Sequence, residues 1–351
     1  MDHVKKNEIE LVRVWLIICY SAIFIMIVLG GATRVTGSGL SMVVWEPLKL
    51  LPPISDAQWS IEFARYQKFP EFKIINSWME INDFKKIFWL EYIHRLWGRI
   101  IGVLFVVPFF WFMYKKTITG PLMWQLWTIL GLGCAQGLMG WFMVASGLVN
   151  KPDVSQYRLA AHLALAIVLL GYILWLVIAL KPYKSMQSNI LQGPKDRWLV
   201  TAAKFNVCAI FVVMISGAFV AGLDAGKIYN TFPLMDGQIV PAGIYDMSPW
   251  YLNWFENVMT TQFNHRFLAL TLTLIIIIGW WHIINANYTP EIKKLAFFLV
   301  LCIVLQALIG VATLLLIVPK WLALGHQTSG LILFSLSVAI ASRLNSYYNR
   351  S

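Results

Sequence analysis

Eight apolar segments alternate with more polar connections along the 351-residue chain. A helix that spans a bilayer needs ~20 mainly apolar residues, and each segment is long enough to meet that requirement. The pattern therefore predicts an all-α polytopic membrane protein with eight transmembrane helices. We place these helices at residues 12–32, 92–114, 123–145, 158–180, 203–223, 263–284, 295–318 and 321–343.

Two of the connections are much longer than the others, at residues 33–90 and 223–262. Both contain many Trp, Tyr, Phe and Pro residues, and Trp and Tyr are enriched at membrane–water interfaces. Within the first connection, DAQWSIEFARYQKF and NDFKKIFW have the composition of amphipathic helices that lie on a membrane surface. We therefore expect both connections to form ordered caps on one side of the membrane.

Helices one to four and helices five to eight carry the same motifs in the same order. A His-Arg pair opens helices two and six, a Gln-x-x-x-Gly motif lies in helices three and seven, and one histidine opens helices four and eight. These motifs are His94-Arg95 and His265-Arg266, residues 136–140 and 306–310, and His162 and His326. Parallel repeats are related by an axis along the membrane normal. We predict two pseudo-twofold-related four-helix bundles, residues 1–180 and 203–351, joined by a cytoplasmic linker at 181–202.

Basic residues are concentrated in the short connections on one side of the predicted helices. Short loops rich in Lys and Arg stay in the cytoplasm, so both termini are predicted to be cytoplasmic. The basic residues on this side are Lys5, Lys6, Arg13, Lys115, Lys116, Lys181, Lys184, Lys195, Arg197, Lys204, Lys293 and Lys294. The chain is thus predicted to be a multi-pass protein of the inner (plasma) membrane, with both long connections on the outer, periplasmic face.

The composition agrees with this assignment. Hydrophobic residues make up 59% of the chain and charged residues 13%, whereas soluble proteins carry about 25% charged residues. The net charge of +11 does not indicate a nucleic-acid partner, because the basic residues form no single patch. Instead, the charge reports the orientation in the lipid bilayer. All four cysteines lie in apolar segments, so neither a disulfide framework nor a zinc site is predicted.

Four of the six histidines open even-numbered helices, and all four of those helices begin on the outer side. They are His94, His162, His265 and His326, and a small residue follows each by four positions, at Gly98, Ala166, Ala269 and Gly330. Two imidazoles facing each other in a bundle can be the axial ligands of a haem iron. Small residues on the same helical face would leave room for the macrocycle. We favour haem ligation near the outer face over isolated interfacial histidines, and over zinc or copper ligation.

The two halves differ beside these histidines. Glu91 lies three residues before His94, whereas Gln262 lies three residues before His265. A carboxylate beside a macrocycle could move a proton, position water or stabilise a developing cation. An ion pair between Glu91 and Arg95, four residues later, explains the same spacing equally well. Both interpretations stay open at this point.

Other polar residues in the helices also admit two interpretations. Arg95 and Arg266 could anchor haem propionates or reach lipid headgroups. Arg99 is most simply a structural residue. Gln136 and Gln306 favour hydrogen bonds between helices over a role in the site.

Several motifs together resemble the haem A synthase family, membrane enzymes that convert haem O to haem A for terminal cytochrome oxidases. The matching stretches are GGATRVTGSGLSM at 30–42, EYIHRLWGRIIG at 91–102, GLDAGKIYNTFPLMDG at 222–237, QFNHR at 262–266 and GHQTSG at 325–330. The resemblance covers nearly the whole chain. It also implies the two four-helix bundles that the repeat predicts.

The resemblance assigns a role to each half. It implies that His265 and His326 ligate the iron of a haem b cofactor, with Arg266 beside it. His94 and His162 would hold the iron of the substrate haem O, with Arg95 beside it and Glu91 as the catalytic carboxylate. The implied reaction oxidises a ring methyl to a formyl group. Implied partners are haem O synthase and cytochrome oxidase assembly factors. Whether the protein also forms a homo-oligomer is left open by the resemblance.

Two other functions are compatible with the four histidines. A di-haem bis-histidine cytochrome could exchange electrons with quinone, and a membrane haem carrier could bind haem without changing it. Neither function uses the difference between Glu91 and Gln262. Some members of the family have a cysteine pair in the outer loops, which this sequence lacks, so a thiol-based mechanism has no support here.

Overall fold

The computed structural model describes residues 2–44, 51–147, 154–180 and 196–348. Helices make up 79% of the described residues, and no strand occurs among them. The helices are α1 (Asp2–Thr36), α2 (Asp56–Tyr66), α3 (Pro70–Ile74), α4 (Ile81–Tyr114), α5 (Pro121–Gly147), α6 (Gln156–Ala179), α7 (Asp196–Gly222), α8 (Val258–Asn285), α9 (Pro290–Leu315) and α10 (Lys320–Tyr348). The predicted all-α class is confirmed.

Eight of these helices are long and apolar enough to cross a membrane, so the predicted number of spans is confirmed. The spans are Asn7–Thr36, Ile81–Tyr114, Pro121–Ala145, Gln156–Ala179, Arg197–Gly222, Val258–Asn285, Pro290–Leu315 and Lys320–Ser346. Many large apolar side chains point outward from them, including Leu274 and Ile278 on α8, which are 60% and 66% exposed. Outward apolar side chains on spanning helices suit a lipid environment, and the chain is a multi-pass membrane protein.

The largest boundary error concerns α4, which begins at Ile81 instead of residue 92. The stretch NDFKKIFW is therefore the start of α4 and not a separate surface helix. The charges in this stretch interrupt the apolar pattern, but Lys86 pairs with Asp83 at 2.9 Å on one side of the helix. Phe84 and Phe88 are buried on the other side. As a consequence, His94 lies more than three turns into its helix, deeper than predicted.

The cap formed by the first long connection packs on the beginning of α4. Helix α2 starts with a capping box, in which Ser55 and Gln58 satisfy each other's backbone N–H groups. Its aromatic residues Trp59 and Tyr66 pack with Phe84 and Phe88, as in the edge-to-face contact of Trp59 with Phe88 at 5.1 Å. The described part of this connection is ordered, as predicted, while residues 45–50 lie outside the described ranges.

A buried polar group holds α2 and α3 together within this cap. The Tyr66 hydroxyl donates to Glu71 at 3.0 Å and accepts a hydrogen bond from the Asn76 side chain at 2.7 Å. Burial, followed by the negative charge of Glu71, raises the pKa of the Tyr66 phenol. The phenol therefore stays protonated and able to donate, which keeps this cluster intact at neutral pH.

The chain separates into two compact units. One contains residues 21–166, and the other contains residues 1–20 and 167–351, so α1 and α6 each contribute to both. The predicted domains at 1–180 and 203–351 and their pseudo-twofold relation stay predictions. Most of the predicted linker at 181–202 lies outside the described residues.

In the unit with residues 167–351, helices α7 to α10 form a ring. Each packs against the next, and α10 closes the ring on α7. At one end of the ring, buried apolar residues such as Leu199, Ile292 and Leu344 form a common core. Residues 167–179 of α6 pack against α10, where Gly171 lies against Phe334 and Ser342 donates to the Trp175 carbonyl at 3.1 Å.

In the unit with residues 21–166, the helices are linked by aromatic contacts and hydrogen bonds. The Trp97 indole N–H on α4 donates to the Ala22 carbonyl on α1 at 2.9 Å. Phe109 on α4 meets Trp127 on α5 edge-to-face, with ring centres 5.0 Å apart. These contacts set the spacing of the helices around His94 and His162.

Candidate functional site

Each unit contains one of the predicted histidine pairs. His94 on α4 and His162 on α6 belong to residues 21–166, and His265 on α8 and His326 on α10 belong to the other unit. All four side chains are half-buried. The structure therefore pairs these histidines in the way that the repeat predicted.

The pair in the second unit has a geometry that fits one iron atom. The ring centres of His265 and His326 are 6.4 Å apart, and the two ring planes are perpendicular. Two imidazoles on opposite sides of one metal ion, with metal–nitrogen bonds of about 2 Å, have ring centres roughly 6 Å apart. The separation of His265 and His326 therefore matches that of two axial ligands. In the first unit, His94 and His162 are close enough for a charge on one imidazole to act on the other.

Each of the four imidazoles lies against a glycine on a neighbouring helix. A Cβ atom added to that glycine would come within 2.7 to 3.2 Å of the histidine Cε1 atom. The four contacts are Gly30 with His94, Gly140 with His162, Gly217 with His265, and Gly310 with His326. The missing side chain lets each ring approach the backbone of the next helix. We call these four residues the seat glycines.

The seat glycines differ from the small residues that the sequence singled out. Gly98 and Gly330 lie four residues after their histidines, as predicted, but a Cβ there would meet Met26 at 3.3 Å and Gln306 at 3.2 Å. Their role in making room for a macrocycle stays a prediction. Two seat glycines are the last residues of the Gln-x-x-x-Gly motifs, so that repeat already contained a signal for them. Gly30 and Gly217 lay outside every motif of the repeat.

Replacement of a seat glycine should displace its histidine. In Gly310→Ala the new methyl group would lie 2.7 Å from Cε1 of the His326 ring, so the ring must shift. We expect a loss of about 1–3 kcal/mol in stability, as in other overpacked cores. Gly279→Ala on α8 is the matched control, because a Cβ there meets no atom within 4 Å. Thermal unfolding in detergent compares the two variants. Equal unfolding midpoints would show that His326 does not need a glycine at position 310.

Glu91 is 3% exposed and lies in a dense hydrogen-bond network. Its carboxylate accepts from the Ser41 hydroxyl and the Met42 backbone N–H, each at 2.7 Å, and from Arg95 at 2.5 Å. Arg95 also donates to the Met42 carbonyl at 2.8 Å. The ion pair considered from the sequence is thus present. Together Glu91 and Arg95 fasten the connection after α1 to α4.

The second unit repeats this network without the negative charge. Gln262 donates to the Ala225 carbonyl at 3.0 Å and accepts from Arg266 at 3.2 Å. Arg266 also donates to the carbonyls of Thr231, at 2.8 Å, and Tyr229. Gln262 and Arg266 therefore fasten the second long connection to α8. Glu91 and Gln262 both pair with the arginine four residues later, but Glu91 carries a charge and only accepts, whereas Gln262 is neutral and also donates to a backbone carbonyl.

The histidine nitrogens also differ between the units. Nδ1 of His265 lies 2.8 Å from the Ser216 hydroxyl, and Nδ1 of His326 lies 3.2 Å from the Gln306 side-chain nitrogen. The Nδ1 atoms of His94 and His162 are buried and have no hydrogen bond within the described residues. Gln136 instead lies 3.3 Å from Nε2 of His162. Both glutamines thus link neighbouring helices through a site histidine.

Comparisons with known proteins agree with these features. The family model described as cytochrome oxidase assembly protein (COX15-CtaA) matches residues 13–338. A protein named "Heme A synthase" from Nitrosospira multiformis is 41% identical over 336 residues, which cover 95% of this chain and 93% of the relative. One of the same name from Paramagnetospirillum magneticum is 42% identical over 327 residues, 93% of this chain and 91% of the relative. With its eight spans, two histidine pairs and a match over nearly its full length, the chain belongs to the COX15-CtaA family of cytochrome oxidase assembly proteins.

Proposed function

We propose that this protein is a haem A synthase, an oxidoreductase that converts the ring methyl of haem O to a formyl group. The observation that carries the proposal is the pair of equivalent polar networks, of which one contains Glu91 and the other Gln262. A protein that only transfers electrons or carries haem has no use for this difference. The relatives named "Heme A synthase" also favour the enzyme over those two alternatives.

The second unit would hold a haem b cofactor. Three features of the residues support this assignment: the 6.4 Å separation of His265 and His326, the seat glycines beneath their rings, and the hydrogen bond between Nδ1 of His265 and Ser216. A hydrogen bond at Nδ1 orients the ring and directs Nε2 towards a metal. Arg266, which directly follows His265, would supply a positive charge for the haem propionates. Bound haem b would supply a one-electron redox centre.

The first unit would hold haem O as the substrate, through His94 and His162 with Arg95 beside them. Conversion of a methyl to a formyl group replaces two hydrogen atoms on the carbon by one oxygen atom, an oxidation in which an external acceptor would take the electrons and protons must leave the site. We propose that Glu91 accepts a proton in this step. Ser41, the Met42 N–H and Arg95 hold its carboxylate in a fixed orientation, one helical turn before His94.

The proposed location is the inner membrane, with both termini in the cytoplasm and the haem sites near the periplasmic face. The distribution of Lys and Arg supports this orientation. The proposed partners are haem O synthase, which would supply the substrate, and the assembly factors of cytochrome oxidase, which would receive the product. Membership of a cytochrome oxidase assembly family supports this placement.

Pigment extraction from cells that make haem O tests the proposed function. Cells with this protein should contain haem A or hydroxylated haem O, and cells without it should contain neither. An absorption spectrum of the purified protein, with haem stoichiometry, gives the occupancy of each site. If the protein binds b-type haem but the cells accumulate only haem O, the proposed function is wrong.

A further inference from the structure

Ser216 on α7 lies between His265 and the backbone of its own helix. Its Oγ atom is 2.7 Å from the Val213 carbonyl oxygen and 2.8 Å from Nδ1 of His265. A carbonyl oxygen can only accept, so the single hydroxyl proton of Ser216 is directed to Val213. The serine then accepts at the other contact, and the Val213 carbonyl also lies within hydrogen-bonding reach of the His265 imidazole, so both neighbours favour a proton on Nδ1 of His265.

This chain of hydrogen bonds selects one form of the imidazole. In a neutral imidazole with its proton on Nδ1, the lone pair is on Nε2, which is the form that ligates a metal. On the other side, the seat glycine Gly217 lets the ring lie close to α7, since a Cβ there would be 3.0 Å from Cε1. The dipeptide Ser216-Gly217 therefore sets both the orientation and the tautomer of His265.

The first unit lacks this arrangement. Its seat glycine Gly30 corresponds to Gly217, and the residue before it is Leu29, which has no hydroxyl group. Consistent with this, Nδ1 of His94 is buried without a hydrogen-bond partner in the described part of the chain. The serine is thus specific to the half in which we propose a resident cofactor, and it is absent where we propose a substrate that must be released.

We infer that Ser216 is a positioning residue that makes His265 a stronger, more permanent ligand of the haem in the second unit. This inference rests on the proposed haem b site. An acceptor at Nδ1–H increases the basicity of Nε2, which stabilises ferric more than ferrous iron. The serine should therefore slow the loss of this haem and lower its reduction potential. His94, which has no such acceptor at Nδ1, is suited to a haem that binds and is then released.

Ser216→Ala in the purified full-length protein tests the inference, with Ser216→Thr as the conservative variant that keeps the hydroxyl group. We expect Ser216→Ala to lose b-type haem to apomyoglobin about 10–100-fold faster than the parent protein, the usual effect of removing a partner of a metal ligand. A tenfold loss of preference for ferric iron corresponds to a reduction potential higher by about 59 mV. Ser216→Thr should restore most of both values.

The outcomes separate this inference from the proposed function. If Ser216→Ala and the parent protein have the same haem-transfer rate and the same potential, the role of Ser216 is wrong, while formation of haem A still supports the enzyme. If Ser216→Thr behaves like Ser216→Ala, the hydroxyl group is not the cause and the inference is again overturned. If the parent protein binds no b-type haem at all, the haem b assignment is wrong, and the inference that rests on it is wrong as well.

Discussion

Glu91→Gln should lower the conversion of haem O to haem A by about 10²–10⁴-fold, the usual contribution of a positioned acid–base group. Glutamine has the same shape but does not accept a proton at neutral pH. Its carbonyl oxygen can still accept from Arg95 or from Ser41 and Met42, but its NH2 group replaces an oxygen that accepts from the other donors, so the fold needs a separate check. Haem A formation in cells, normalised to the amount of protein, measures the effect.

The b-type haem of the Glu91→Gln protein should have an unchanged spectrum, which shows that the fold and the second site are intact. Asp83→Asn is the matched control, because it removes the carboxylate of the Asp83–Lys86 ion pair on the same helix and should leave conversion within a few-fold of the parent value. Glu91→Ala is a weaker test, since it also removes the bonds to Ser41 and Met42. Normal conversion by Glu91→Gln would refute the proton-accepting role and leave Glu91 as a structural ion-pair partner.

His265→Ala should remove the b-type haem, and with it the activity. The substitution would delete one of the two proposed ligands and leave only His326 to hold the iron. Removing one partner of a metal ligand already costs about 10–100-fold in affinity, so removing the ligand itself should cost more. The absorption spectrum and the haem content per chain of the purified protein measure the loss.

His282→Ala provides a control on the same helix. His282 lies at the far end of α8, where it packs edge-to-face on Trp198 with ring centres 5.1 Å apart, and it belongs to neither histidine pair. Its replacement should leave the haem content unchanged. His94→Ala should likewise keep the b-type haem, but lose conversion. If His265→Ala and His282→Ala retained equal amounts of haem, the assignment of the cofactor site to the second unit would be wrong.

Much of the architecture follows from local patterns, and these were readable in the sequence. The eight spans depend on apolar length, which any single segment displays by itself. The histidine pairs followed from the repeated order of motifs. The contrast of Glu91 with Gln262 followed from their position, because each lies three residues before a site histidine. The sequence pattern placed the start of α4 too late, because the charges at Asp83 and Lys86 interrupt the apolar residues. The burial of Phe84 against α2 is a tertiary contact, which a local pattern does not contain.

Which residues support the histidines was decided only by tertiary structure. The seat glycines Gly30 and Gly217 and the hydroxyl group of Ser216 are far from their histidines in sequence, and small residues are common in membrane helices for many reasons. Nor did the spacing of Glu91 and Arg95 show that both bind the backbone of residues 41–44. By itself, the sequence determined the helices, the histidine pairs and the unequal charge, because each is a property of one segment or of its repeat. Packing determined how each imidazole is held, because that depends on which helix backbones approach one another.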